Sequence, residues 1–260
     1  MHDERVAVIT GAAQGIGKRT AELFAERGYS LLLTDLRPIA RDVIAALQQR
    51  VQVHEVTGDI SDEACVTRIA ATASECWGRA DVLVNNAGIS LILPAEELSV
   101  AQYRRVLEVN LVAPFLLAKA IGQMMLAQRS GSIINVASIA GLVGIVDRAA
   151  YNASKHGLIG LTKTLAAEWG AKGVRVNAVC PAWVKTEMDA TDQASGSYTD
   201  SDITTRVPMG RFASPDDIAR AIAFLADSQE SAFINGHSLV VDGGWVVDGS
   251  WDALRLRHRS

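Results

Sequence analysis

The sequence predicts an α/β fold with one doubly wound parallel β-sheet of about seven strands, covered by helices on both faces. Three observations carry this prediction. Short runs rich in Val, Ile and Leu alternate with longer segments of helical period along the chain, as in repeated βαβ units with right-handed crossovers. The 260 residues are enough for one large core and few for two. Apolar residues make up 49% and aromatic residues only 5%, so the interior is built from Ala, Val, Leu and Ile, which suits helices packed closely on a buried sheet.

The elements follow in order. Strand Val6–Thr10 is a β-rich run that ends in a glycine-rich turn, and the first helix, Gly15–Arg27, leaves that turn. Strand Ser30–Thr34 precedes helix Ile39–Gln49, and strand Val51–Val56 precedes helix Asp62–Trp77. Strand Val82–Val84 is followed by one long helical pattern, Val100–Gln128. Strand Ser132–Val136, helix Tyr151–Trp169, strand Val174–Val179, helix Pro215–Ala226 and strand Ser238–Val241 complete the series. Ser99 and Ser214 each stand three residues before a polar or acidic side chain, and Pro215 occupies a first helical position, so both helix starts are signed. Residues 187–206 break the rhythm. They are rich in Ser, Thr and Asp, follow the C-terminal end of a strand, and read as a substrate lid. Residues 1–245 then form a single dinucleotide-binding and catalytic domain, with residues 246–260 as a C-terminal tail; Trp245 and Trp251 are expected to be buried.

Composition excludes several functions. Lys plus Arg number 25 against 29 for Asp plus Glu, a net charge of -4, whereas a nucleic-acid partner calls for clustered cations. No apolar run reaches the ~18 residues of a membrane span, and no signal peptide is visible. Cys65, Cys76 and Cys180 have unrelated spacings, so neither a disulfide framework nor a metal site is expected, and a cytoplasmic setting is the simplest reading.

Residues Thr10 to Gly17 read T-G-A-A-Q-G-I-G between the first strand and helix. Gly11, Gly15 and Gly17 permit a tight turn and close approach of a pyrophosphate, beside the free N–H groups of a helix start formed with Gln14 and Ile16. Asp35, at the end of the second strand, can accept the adenosine ribose hydroxyls and would repel a 2′-phosphate. Gln14 places no cation in the loop, which agrees with NAD. Arg37 is close enough in sequence to reach a 2′-phosphate, and dissents.

With Asn85-Asn86-Ala87-Gly88 and Tyr151-Asn152-Ala153-Ser154-Lys155, this glycine loop resembles the short-chain dehydrogenase/reductase superfamily in its compact single-domain branch. The resemblance runs from Val6 to the Val241-Asp242-Gly243-Gly244 stretch. It implies a Rossmann-type fold and a catalytic group of Asn110, Ser138, Tyr151 and Lys155. It also implies cofactor contacts from Asp59 and Ile60 at the adenine, Asn86, Ala87 and Gly88 on the floor, and Val184 and Thr186 at the nicotinamide. The chain departs from the family pattern at Pro181-Ala182, where Pro-Gly is usual.

The chemistry fits those roles. Tyr151 and Lys155 are four apart and share one helix face. The Lys155 ammonium, helped by the positive nicotinamide of an oxidised cofactor, would lower the phenol's pKa of ~10. Tyr151 could then exchange the hydroxyl proton as hydride moves, with Ser138 bonding the substrate oxygen and Lys155 also holding the nicotinamide ribose. His156 points to another face and reads as structural. Pro114 has no N–H to give the carbonyl of Asn110, so that carbonyl is expected to be free at a kink, where it could hold a water.

The expected activity is hydride transfer between NAD and the secondary alcohol or ketone carbon of a small molecule: a sugar, polyol, hydroxy acid or cyclic alcohol. The expected assembly is a homotetramer. Two rivals stay open. One is a 3-oxoacyl thioester reductase; the other is an NAD-sensing regulatory protein on the same fold.

Overall fold

The structure is a computed structural model and describes residues 5–193, 196 and 198–257. Seven strands form one sheet: β1 Val6–Thr10, β2 Ser30–Asp35, β3 Val53–Thr57, β4 Val82–Asn85, β5 Gly131–Val136, β6 Val174–Pro181 and β7 Ser238–Val241. Their spatial order is β3-β2-β1-β4-β5-β6-β7, and every neighbouring pair is parallel. The order reverses between β1 and β4, and a cleft opens there outside the carboxyl ends of the strands.

Both faces of the sheet are covered, and the strand pattern shows why. Ala7, Ile9, Leu31 and Leu33 point to one face and pack against α1 Gly15–Glu26, α2 Arg41–Gln48 and α9 Pro215–Ala226. Val8, Leu32, Leu83 and Ile133 point to the other, against α3 Glu63–Trp77, α5 Ala113–Gln128 and α6 Ala149–Trp169. Alternate side chains of each central strand therefore meet different helix layers, and both must be apolar.

Four sequence expectations are corrected. The predicted helix Val100–Gln128 is three pieces: α4 Val100–Leu107, a π-helical segment Glu108–Val112, and α5. In the π segment the Ala113 N–H reaches back five residues to the Glu108 carbonyl. Together these pieces make one run of 29 residues with mean hydropathy 1.5 in its most apolar window, long and apolar enough to cross a membrane. Its apolarity has a local cause, since Leu117, Ile121 and Met125 are fully buried in the core. Strand β3 starts two residues late, because the Val51 N–H closes the end of α2 on the Leu47 carbonyl.

The segment read as an irregular lid contains two short helices, α7 Glu187–Gln193 and α8 Asp200–Arg206; residues 194, 195 and 197 lie outside the described residues. Capping boxes close Ser99 on Gln102 and Ser214 on Asp217 as predicted, and a third closes Thr199 on Asp202. The tail folds back as α10 Asp252–Arg257, with Arg255 bonded to Asp248, Asp252 and the Ser250 carbonyl. Trp245 is half-buried against Trp183 and Arg206. Trp251, expected inside, is 69% exposed, because the folded tail places it outward. Residues 1–4 and 258–260 lie outside the described residues.

Candidate active site

The cleft at the switch point has a volume of about 440 Å3, and one end of it is built by the glycine turn. Gly11 has φ +65, and a β-carbon there would come within 2.9 Å of the Ala87 Cα. At Gly17 a β-carbon would sit 2.0 Å from the Gly11 carbonyl oxygen. Any side chain at either position would force the loop open. Asn86 closes the loop from below, donating from Nδ2 to the carbonyls of Thr10 and Gly11 at 2.9 and 3.1 Å. The Thr10 hydroxyl accepts the N–H groups of Asn86 and Ala87 at 3.0 and 2.9 Å. Gln14, the N-cap of α1, makes no side-chain cap bond, so the helix start offers N–H groups that no capping side chain accepts. That arrangement fits a pyrophosphate.

Asp35 ends β2 at the rim. Its carboxylate accepts the N–H groups of Ala13 and Arg37 at 3.0 and 3.1 Å, tying the glycine loop to the end of the strand. The Arg37 guanidinium donates to Gln14 Oε1 at 2.9 Å and lines the same cleft. Asp59 accepts from Ser61 N–H and Oγ at 2.9 and 2.7 Å and pairs with Arg105 at 2.6 Å. Its burial would raise its pKa, but the Ser61 and Arg105 bonds outweigh that and hold it below the usual carboxylate value. Ile60 beside it is buried and apolar, as a base-binding wall needs.

At the inner end, Ser138, Tyr151 and Lys155 come together. Ser138 follows β5 and starts a short 3₁₀ turn, with the Ala140 N–H bonding its Oγ at 3.1 Å. Its side chain is near enough to the Tyr151 phenol to lower its pKa. Lys155 Nζ lies 5.5 Å from the centre of the Tyr151 ring and donates to the Val136 carbonyl at 2.8 Å. Burial pushes the Lys155 pKa down to about 8. Burial also pushes the Tyr151 phenol up, against the smaller lowering effects of neighbouring Ser138 and of Arg148. The expected lowering by the Lys155 ammonium is therefore not the dominant influence on Tyr151 in this structure. The phenol is held in its protonated form.

Two predicted site residues do not line the cleft. Gly17 packs behind the loop. Asn110 is wholly buried, with its side chain tied to the Ile89 backbone in both directions at 2.9 Å and to Ser154 Oγ at 3.2 Å. It stands behind Gly88, whose position faces both Asn110 Oδ1 and Lys155 Nζ. The remaining predicted residues, Gly11, Gln14, Gly15, Ile16, Asp35, Asp59, Ile60, Asn86, Ala87, Gly88, Val184 and Thr186, all line the cleft with the inner three. Thr186 caps α7 through the Asp189 N–H and faces Gly15 across the gap. Ala182 bonds the Val241 carbonyl at 3.2 Å and has no positive φ, so it replaces glycine without backbone strain. His156 is exposed and caps back onto the Asn152 carbonyl at 2.9 Å, away from the cleft.

Sequence reading missed the wall facing Tyr151. Arg148, Ser90, Asp192, Asp189, Tyr198 and Trp183 either line it or bond within it. Arg148 stands one helical turn before Tyr151, and that spacing was the available signal. Among the described residues no group of three or more His, Cys, Asp or Glu could hold a metal ion.

Comparison with known proteins agrees with this architecture. A family profile described as enoyl-(acyl carrier protein) reductase matches residues 11–246. The chain is 41% identical over 249 residues to D-threitol dehydrogenase of Mycolicibacterium smegmatis, covering 94% of each. It is 43% identical over 246 residues to cis-4-hydroxycyclohexanecarboxylate dehydrogenase of Sinomonas cyclohexanicum, covering 94% of this chain and 97% of that one. The solved structure of ElxO with NADP bound superposes with a TM-score of 0.86 at 32% identity, over 94% of this chain and 100% of that one. Fold, cleft and relatives agree, and the chain belongs to the short-chain dehydrogenase/reductase superfamily of nicotinamide-linked oxidoreductases.

Proposed function

We propose that this protein is an NAD-dependent dehydrogenase that moves a hydride at a secondary alcohol or ketone carbon, with Tyr151 as its acid/base. The observation that carries the proposal is the meeting of Ser138, Tyr151 and Lys155 at one end of a cleft whose other end is the glycine turn and Asp35. When bound, the nicotinamide exchanges the hydride and, in its oxidised form, brings a positive charge to the inner end. Gly11, Gly15 and the uncapped start of α1 would hold the pyrophosphate, Asp35 the adenosine ribose, and Lys155 the nicotinamide ribose.

In the reduction direction, Tyr151 donates its phenolic proton to the carbonyl oxygen as that oxygen becomes negative. Ser138 bonds the same oxygen and steadies the charge. In oxidation the proton travels the other way, and a hydrogen bond from Ser138 together with nearby positive charge would favour the phenolate. Lys155 and the Asn110 carbonyl would return the proton through water. The reading extends to α7 and α8 as a substrate lid, to a homotetramer and to a cytoplasmic setting.

The substrates in the relatives' names are a polyol and a hydroxylated cyclic carboxylate, both with secondary hydroxyls, which supports the reaction class. Cofactor choice rests on Asp35. The nucleotide in the ElxO structure is NADP, and Arg37 at the rim is a group that could receive its extra phosphate. A panel of secondary alcohols, followed by absorbance of the reduced nicotinamide with NAD and with NADP, tests both parts. The expected result is turnover with a preference for NAD, narrowed in Asp35→Ala. Preference of the unmodified protein for NADP would overturn the Asp35 argument; no turnover with either nucleotide would overturn the activity.

A further inference from the structure

The wall opposite Tyr151 carries a charge pair that the hydride chemistry does not use. Arg148 Nη1 donates to Ser90 Oγ at 2.6 Å, and Nη2 pairs with Asp192 Oδ2 at 3.0 Å. The Ser90 hydroxyl donates to the same Asp192 oxygen at 3.3 Å and closes a three-membered ring. The Arg148 and Asp192 side chains are only 11% and 14% exposed, and the guanidinium lies 5.9 Å from the centre of the Tyr151 ring.

The chain is bent to put it there. Asp147 adopts a left-handed φ of 58, one of two non-glycine residues with positive φ among those described, and its carbonyl accepts the Leu93 N–H at 2.8 Å. A residue in that region is held by its surroundings and is characteristic of functional positions. Farther along the same wall, the buried Asp189 accepts the Tyr198 hydroxyl at 2.9 Å, with Lys185 at 3.3 Å on its outer side.

We propose that Arg148, held and neutralised by Asp192 and Ser90, is a specificity-determining residue that selects neutral polyhydroxylated alcohols over carboxylate-bearing ones. The proposal rests on the dehydrogenase reading above and narrows its substrate class. A lone guanidinium beside the reacting carbon would recruit a carboxylate bidentately. Here a carboxylate already sits on it, so an incoming anion meets a net-neutral pair with a second carboxylate, Asp189, beyond it. It would lose its hydration with little attraction in return. A hydroxyl group carries no such penalty. A guanidinium has five N–H donors, of which the ring uses two, and the others can bond a neutral substrate oxygen.

The test uses matched pairs of three to five carbons, each a polyol and the aldonate of the same skeleton, such as threitol and threonate. Cyclohexanol serves as a secondary alcohol with no second oxygen. The unmodified enzyme should favour the polyols by at least tenfold in kcat/KM, mainly through KM. Asp192→Asn keeps the shape but leaves Arg148 unneutralised, and should move the ratio at least tenfold toward the aldonates. Arg148→Gln should raise KM for the polyols more than for cyclohexanol, without improving the aldonates. Calorimetric binding of threitol and threonate to the protein saturated with NADH should show the same shifts without relying on turnover.

An unmoved ratio in Asp192→Asn, or an unmodified enzyme that favours the aldonates, would overturn the proposal. So would an equal loss for polyols, aldonates and cyclohexanol, which would assign the ring to holding α7 in place. Failure of every alcohol and ketone in the unmodified protein would instead sink the dehydrogenase reading and this one with it.

Discussion

Lys155 is a buried cation whose burial favours its neutral form, and this has a measurable consequence. Its folded value of about 8 lies below the ordinary 10.5. Between those values the unfolded chain binds a proton that the folded chain does not, so this group makes stability rise with pH across that window. Half-buried Tyr151 and buried Cys180, whose values are raised, act in the opposite sense at higher pH, so the comparison must be made against a variant. Denaturant unfolding from pH 8 to 10.5 should show the unmodified protein gaining stability relative to Lys155→Met as pH rises; a constant difference would contradict the low value. Tyr151 is tested differently. Tyr151→Phe removes one oxygen from a half-buried ring and should leave NAD binding nearly intact while turnover falls roughly a hundred- to ten-thousand-fold. A Phe variant that kept most of its turnover rate would mean that another group moves the proton. The glycine turn and the Tyr151–Lys155 spacing could be read directly, because local backbone geometry and helix period place them. The Arg148–Asp192 ring could not be read, because its members are 44 residues apart and meet only when α7 folds over the cleft.

The helix before the active site is interrupted rather than continuous, and Pro114 is the reason. The residue that should close on the Asn110 carbonyl has no N–H, and the chain widens into a π turn over Glu108–Val112. Such turns are often found at functional sites. Here it places the wholly buried Asn110 against the Ile89 backbone, behind Gly88 and Lys155. Pro114 occupies one of the first two positions of α5, where a missing N–H is tolerated, so removing it should gain less than the ~3 kcal/mol of a helix-interior proline. Pro114→Ala should therefore change unfolding free energy little, yet lower turnover by offering the Asn110 carbonyl a competing N–H. Denaturant melts and steady-state rates on the same preparation check this; unchanged turnover would remove the carbonyl from the proton path.

A single chain leaves several large apolar side chains in water. Phe233 and Val247 are almost fully exposed, and Trp251 is mostly so, while β7 is an edge strand with Val240 partly uncovered. Edges and apolar surface of this kind are commonly covered by another subunit, in keeping with the proposed homotetramer. Light scattering should return a solution mass near four times the 27.7 kDa chain; a monomer at micromolar concentration would contradict it.

The alternation of strands and helices, most helix periods and the capping signals were legible along the chain, because each depends on residues a few positions apart and on which faces must be apolar. Asp35 could be read as a candidate for the same reason, at a strand end, whereas the roles of Ser138, Tyr151 and Lys155 came from the resemblance of their motifs to the family. The π turn, the helices inside the lid segment and the outward Trp251 were not legible, since each depends on how a segment meets distant neighbours. Protonation belongs with these. Four-residue spacing brings Lys155 near Tyr151, but the desolvation that packing imposes on both sets their charge states, and that is a property of the packed chain.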